Sequence, residues 1–262
     1  MSDRASQRAF LSVAALLFAS SAAATGIWCA SMSAMDEMPM PGGWTMSMTW
    51  MRMPGQTWTE VAASFLGMWV LMMVAMMLPS LVPMLLRYRQ IVRPANESHL
   101  GWLTLSAGFG YFSFWTLLGL ALFPAGVALA EIEMQLLLLS RAVPLVVGVV
   151  VLTAGVLQLT SWKAHQLACC RKASLYCPTS RPNAATAWKH GLYLGLQCFR
   201  CCGNLMVISL VLGVMDLRAM ALVAAAITAE RLAPVGERVA CAIGIVVVGA
   251  GLALIVLAMG LV

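Results

Sequence analysis

The chain has 262 residues, of which 61% are hydrophobic and 10% charged, with a mean hydropathy of +0.88. So little polar surface cannot cover a water-exposed globule; the same arithmetic excludes a disordered chain, and the length and the placing of the eight cysteines exclude a disulfide-built mini-domain. A net charge of +6 would suggest nucleic acid in a soluble protein, but in a polytopic membrane chain it is first a topology signal, and no nucleic-acid partner is expected.

Apolar runs long enough to cross about 30 Å of hydrocarbon occupy residues 9–28, 64–86, 102–123, 141–162, 189–214 and 238–261, which predicts an all-α transmembrane bundle. A seventh stretch, 217–229, is apolar but only about 20 Å long as a helix, so six or seven spans remain open. With seven crossings and the amino terminus inside, twelve of the sixteen basic residues fall on the cytoplasmic side, while Arg52, Arg141 and Arg218 lie outside beside six acids. That asymmetry predicts an inner-membrane protein with a cytoplasmic amino terminus and a periplasmic carboxyl terminus. Arg4, Arg8, the apolar run at 10–19 and the small residues at 20–24 also suit a cleaved secretory signal. Because the apolar stretch continues through Trp28, a retained signal anchor over residues 1–30 is expected instead. A methionine-rich external loop over 31–60 follows, then a transmembrane domain over 61–262 with a Cys/His-rich cytoplasmic loop at 163–190.

The external loop carries Met32, Met35, Met38, Met40, Met46, Met48, Met51 and Met53, three pairs of them with Met-x-Met spacing. A thioether is a soft donor with no proton to lose, so it can hold Cu(I) or Ag(I) in a compartment that oxidises paired thiols. Trp28, Trp44, Trp50 and Trp58 are interleaved, and prolines and glycines keep the segment irregular. Two readings stand: an interfacial loop with methionine as apolar filler, or soft-metal capture with Met38, Met40, Met46 and Met48 among the ligands. In the second span Trp69, Met72, Met73, Met76 and Ser80 share one helical face, with Met77 and Met84 close by. Pro79 and Pro83 each remove a backbone donor, which predicts a bend in the cytoplasmic half. The stripe reads either as packing material or as a thioether ladder leading inward.

Six of the eight cysteines fall between positions 169 and 202. In the fifth span Cys198, Cys201 and Cys202 stand at i, i+3 and i+4, which puts three sulfurs on one side of a helix. His190 lies two turns earlier, Met206 one turn deeper, and Gly191 and Gly195 form a small-xxx-small pair that lets another helix approach. The preceding loop adds His165, Cys169, Cys170 and Cys177. Thiolate and imidazole are ligands for Cu(I), Zn(II) or an iron–sulfur cluster. The spacing lacks the two separated pairs of structural zinc sites. A thiol–disulfide enzyme could use Cys198-Phe-Arg-Cys201, but outside the membrane only Cys29 would be available to exchange with. Metal binding is therefore expected first, with Cu(I) as the metal and zinc or no metal as the alternatives. Arg200 is costly within a span and is expected to be paired or near the cytoplasmic interface, with Asp216 and Glu230 as partners by sign.

Three blocks, MMVAMMLPSLVPM (72–84), the segment 163–177 and GLYLGLQCFRCCGNLMVISLVLGVMDL (191–217), resemble a bacterial family catalogued as domain of unknown function 2182, described as predicted metal-binding integral membrane proteins. The resemblance covers most of the chain from Trp69 onward and implies Met72, Met76, Met77, Cys198, Cys201 and Cys202 as the motif's ligands. The chain departs from the family at Gly203, where an aromatic is usual, and Lys163, Cys169, Cys170 and Cys177 match the family's Lys-x-x-Cys-Leu-x-x-Cys-Arg loop only loosely. The function expected is copper handling in a lipid bilayer: capture, transfer or delivery to a cuproenzyme, with a periplasmic metal chaperone or cuproenzyme as partner and the oligomeric state open. No Walker-type loop and no intramembrane Cys-Pro-Cys is present, so an ATP-driven pump is not expected, and no catalytic residue is singled out. A membrane thiol–disulfide oxidoreductase and a non-catalytic assembly subunit are the alternatives.

Overall fold

In lipid every backbone N–H and C=O must find a partner within its own segment, so long apolar runs fold as helices. The computed structural model describes residues 3–33, 38–40, 44–46, 50, 52, 55–93, 99–173, 183–213 and 216–260. These form α1 (Asp3–Ser33), a small antiparallel hairpin of β1 (Met38–Met40) and β2 (Trp44–Met46), then α2 (Trp58–Val92), α3 (Leu100–Gln135), α4 (Leu137–Gln158), α5 (Ser161–Ala173), α6 (Ala184–Leu212), α7 (Leu217–Leu232) and α8 (Gly236–Ala258). Apart from the hairpin the fold is all-α. Among the described residues six helices, α1, α2, α3, α4, α6 and α8, are long and apolar enough to cross a membrane, as in a multi-pass membrane protein.

Local chemistry fixes several boundaries. Thr57 and Glu60 form a reciprocal capping box at the start of α2, and Asn183 and Thr186 do the same for α6. Asp216 caps α7 by accepting from the backbone N–H groups of Arg218 and Ala219 at 2.8 and 3.2 Å. Pro79 and Pro83 lie inside an α2 that stays helical through both. At 35 residues α2 is about 52 Å long, well beyond the hydrocarbon thickness, and Arg87 and Arg89 lie in its last turns.

Contacts along the helices give their directions. The end of α2 meets the start of α1 through Arg89, which donates to Ser6 Oγ at 2.8 Å and stacks over Phe10. Arg89 to Thr104 and Trp69 to the Trp115 carbonyl set α2 antiparallel to α3. α3 and α6 run parallel at close contact: a Cβ at Gly191 would strike the Ala107 carbonyl and one at Gly195 would strike Phe114, further along both helices. α4 and α8 pack antiparallel across Gly148, Gly155, Gly244 and Gly251. After a turn closed by Asp216 N–H to the Gly213 carbonyl, α7 folds back beside α6 until Arg231 reaches the level of Cys198. With 16 residues, α7 is about 24 Å long, so the apolar stretch at 217–229 reverses the chain without the length of the other spans.

The core follows α2, α3 and α6, where Trp69, Met73, Met77, Tyr111, Leu194 and Cys198 are fully enclosed. The segment expected as a loop at 163–190 is instead helix at both ends, α5 and the first turns of α6. Its stripe Lys163, Leu167 and Cys170 is buried at i, i+4 and i+7.

Candidate metal centre

Where α2, α3, α5, α6 and α7 converge, sulfur is concentrated. Cys198 on α6 stands 3.6 Å from Cys202 one turn on, and its thiol lies 3.9 Å from the Met77 sulfur of α2. Three sulfurs bound to one ion at about 2.3 Å each stand roughly 4 Å apart, and the two separations from Cys198 match that spacing. Cys201 takes the other flank of α6. Three residues advance a helix by about 300° and four by about 400°, so positions 201 and 202 straddle 198 instead of stacking on it. Cys201 joins Met84, Leu167 and Cys170 in a second buried cluster against α5. A hydrogen bond with Cys201 is the larger reason that the Cys170 thiol is held below its ordinary range, with burial opposing it and the nearby Arg231 charge assisting.

Arg231 at the end of α7 links the two sulfur groups. Its Nη1 donates to Ser80 Oγ at 2.9 Å and Cys198 Sγ at 3.0 Å, and its Nη2 to Met84 Sδ and Cys170 Sγ, both at 3.1 Å. From α3 the Tyr111 hydroxyl donates to Cys198 Sγ at 3.0 Å. Behind this pocket Lys163 and Glu230 form an ion pair at 2.8 Å, each 1% exposed. Lys163 also donates to the Cys201 carbonyl at 2.6 Å, while Gln158 joins Glu230 to Asn204. Arg171 ties α5 to the end of α7 through the carbonyls of Glu230 and Ala233 at 3.0 and 2.6 Å. A pocket bordered by Arg87, Cys170, Arg171 and Arg231 lies beside this cluster.

A family model described as PpoB2, copper chaperone, matches residues 66–254. The chain belongs to the PpoB2 copper chaperone family. The matched stretch contains the whole sulfur pocket, from Met77 to Arg231, and excludes α1 and the methionine hairpin. No curated protein and no solved structure matches the chain. Membership carries the copper part of the expectation drawn from the sulfur donors and does not bear on the family label given to the three motif blocks.

In this copper chaperone family member the residues expected as ligands separate into those that meet and those that do not. Cys198, Cys202 and Met77 converge, and Cys170 and Cys201 form the neighbouring pair. Met72, Met76 and Met206 are buried in the same core. His190 stacks on Tyr88 at 5.1 Å between ring centres, and its Nε2 has no hydrogen-bond partner among the described residues. His165 and Cys169 lie 3.4 Å apart on the outer side of α5, turned away from Cys170. Met38, Met40 and Met46 fall in the hairpin strands, where the register sets Met38 opposite Met46, whereas Cys177 and Met48 lie outside the described residues. Among the described residues no three His, Cys, Asp or Glu side chains group as a metal site; the convergence needs the Met77 thioether as its third donor.

Two contributors were not singled out in the sequence as parts of the site, Tyr111 and Arg231, whereas Ser80 and Met84 belong to the stripe noted on the second span. Tyr111 lies in a helix that is apolar all round, so no period marks its hydroxyl. Arg231 read as a topology charge. Glu230, expected by sign beside Arg200, instead pairs with Lys163, and Asp216 caps α7; Arg200 is exposed on α6.

Proposed function

We propose that the protein is a membrane-embedded Cu(I) carrier that holds the ion at Cys198, Cys202 and Met77 and passes it between the two faces of the bilayer toward a copper-requiring acceptor. The observation that carries this reading is the approach of one thiol, Cys202, and one thioether, Met77, to 3.6 and 3.9 Å of the Cys198 sulfur, inside a region matched by a copper chaperone family. Soft sulfur donors in a dry site favour a monovalent soft ion over hard cations. Cys170 and Cys201, beside the pocket near Arg87 and Arg171, would receive the ion next. Met38, Met40 and Met46 in the hairpin would be the first donors it meets from the periplasm, with the amino terminus in the cytoplasm and the carboxyl terminus in the periplasm of an inner membrane.

The thiol–disulfide alternative needs Cys198 to pair with Cys201, whereas the nearest thiol to Cys198 is Cys202 and Cys201 associates with Cys170. Nothing in the geometry favours it. The test is a strain lacking the protein together with the purified chain. The carrier reading expects altered cell copper content or copper tolerance, and Cu(I) retained by the wild type but not by Cys198→Ser. Unchanged cells together with a copper-free purified protein would end it.

A further inference from the structure

Among the described residues the guanidinium of Arg231 makes hydrogen bonds to a hydroxyl, a thioether and two thiols, which are neutral acceptors until a thiol is deprotonated. The adjacent carboxylate, Glu230, is already neutralised by Lys163 at 2.8 Å and enclosed with it. A charge held among neutral groups in a poorly solvated site is unfavourable unless an anion forms there. Metal binding forms one. When Cu(I) binds Cys198 and Cys202, two thiol protons leave to solvent and one positive charge arrives; Met77 adds a neutral donor. The resulting metal–sulfur unit carries one negative charge, and Arg231, in contact with one of its sulfurs, brings the site to zero. A divalent ion on the same three donors gives a neutral unit and leaves Arg231 uncompensated.

We infer that Arg231 is a specificity-determining residue, which uses its fixed positive charge to make the Cys198–Cys202–Met77 site select monovalent soft cations, Cu(I) and Ag(I), over divalent ones such as Zn(II). The inference rests on the carrier reading of that site. Arginine suits the role because its charge persists at every physiological pH and its fork reaches both sulfur groups at once.

The test uses full-length protein in detergent, with Ag(I) as a redox-stable monovalent probe and Zn(II) as the divalent one, each titrated against a competing chelator. Arg231→Gln is expected to lower the Ag(I)-over-Zn(II) preference by about tenfold or more, since an opposite charge within a few ångströms is lost at low effective dielectric. Arg231→Lys is expected to retain most of it. Cys170→Asp tests the same charge without touching the arginine, by giving Nη2 a carboxylate partner; it should lower the preference further than Cys170→Asn, which removes the same thiol without adding the charge. An unchanged ratio in Arg231→Gln and in Cys170→Asp overturns the inference while leaving the metal site standing. A wild type that binds neither Ag(I) nor Cu(I) overturns the site itself, and the inference with it.

Discussion

Cys198 has four partners drawn from separate elements: Tyr111 of α3, Arg231 of α7, Met77 of α2 and Cys202 of its own helix. Two of them donate hydrogen bonds to its sulfur, which prepares that atom for negative charge before any ion arrives. Tyr111→Phe removes one donor and should weaken Cu(I) retention about fivefold, the equivalent of roughly 1 kcal/mol. Competition with a chromophoric Cu(I) chelator reads this directly. Cys169→Ser, altering a thiol that faces His165 on the outer side of α5, should leave the same titration unchanged. The spacing of Cys198 and Cys202 was legible because a helix converts i and i+4 into neighbours. Tyr111 and Arg231 were not, since their role depends on which helices touch, and neither hydropathy nor spacing within one segment carries that information.

At the scale of elements, the site depends on how closely α3 and α6 approach. Gly191 lies against the Ala107 carbonyl and Gly195 against Phe114, so the two backbones meet without side chains between them, and this approach brings the Tyr111 hydroxyl to Cys198. Gly191→Ala must push the helices apart, at a cost of roughly 1–3 kcal/mol. It is expected to lower the melting temperature and weaken Cu(I) binding together. Gly203→Ala, which meets nothing closer than 3.5 Å, should do neither. The Lys163–Glu230 pair locks α5 to α7 in the same way. Glu230→Gln leaves an uncompensated buried ammonium and should destabilise the fold by about 3–5 kcal/mol, whereas Lys163→Met with Glu230→Leu should recover most of the loss. Thermal unfolding in detergent compares them. The long apolar helices and the small-xxx-small contact were readable from composition. α5 was not, because one of the three residues on its buried stripe is a lysine, and a charge at a core position masks the helical period.

For the molecule as a whole, thioethers lie in the hairpin and along α2, whereas the thiols of Cys170, Cys198, Cys201 and Cys202 gather where α5, α6 and α7 meet. The helices alternate in direction through α7 and α8, so α8 runs parallel to α6 and ends on the face opposite to the one where α1 begins. The proposed orientation rests on the excess of basic residues, a property of charge distribution that needs no tertiary contacts and was therefore open to the sequence. Replacing Met38, Met40 and Met46 by Leu should slow copper loading from the hairpin side while leaving the equilibrium affinity of the inner site unchanged, as measured by copper uptake into reconstituted vesicles and by chelator competition on the purified chain. The central claim is that Cys198, Cys202 and Met77 jointly hold one Cu(I). X-ray absorption at the copper edge of the loaded protein tests it most directly: the account predicts three sulfur neighbours at about 2.3 Å, falling to two in Met77→Leu, with copper lost in Cys198→Ser/Cys202→Ser; nitrogen or oxygen neighbours, or an unchanged spectrum in that double variant, would contradict it.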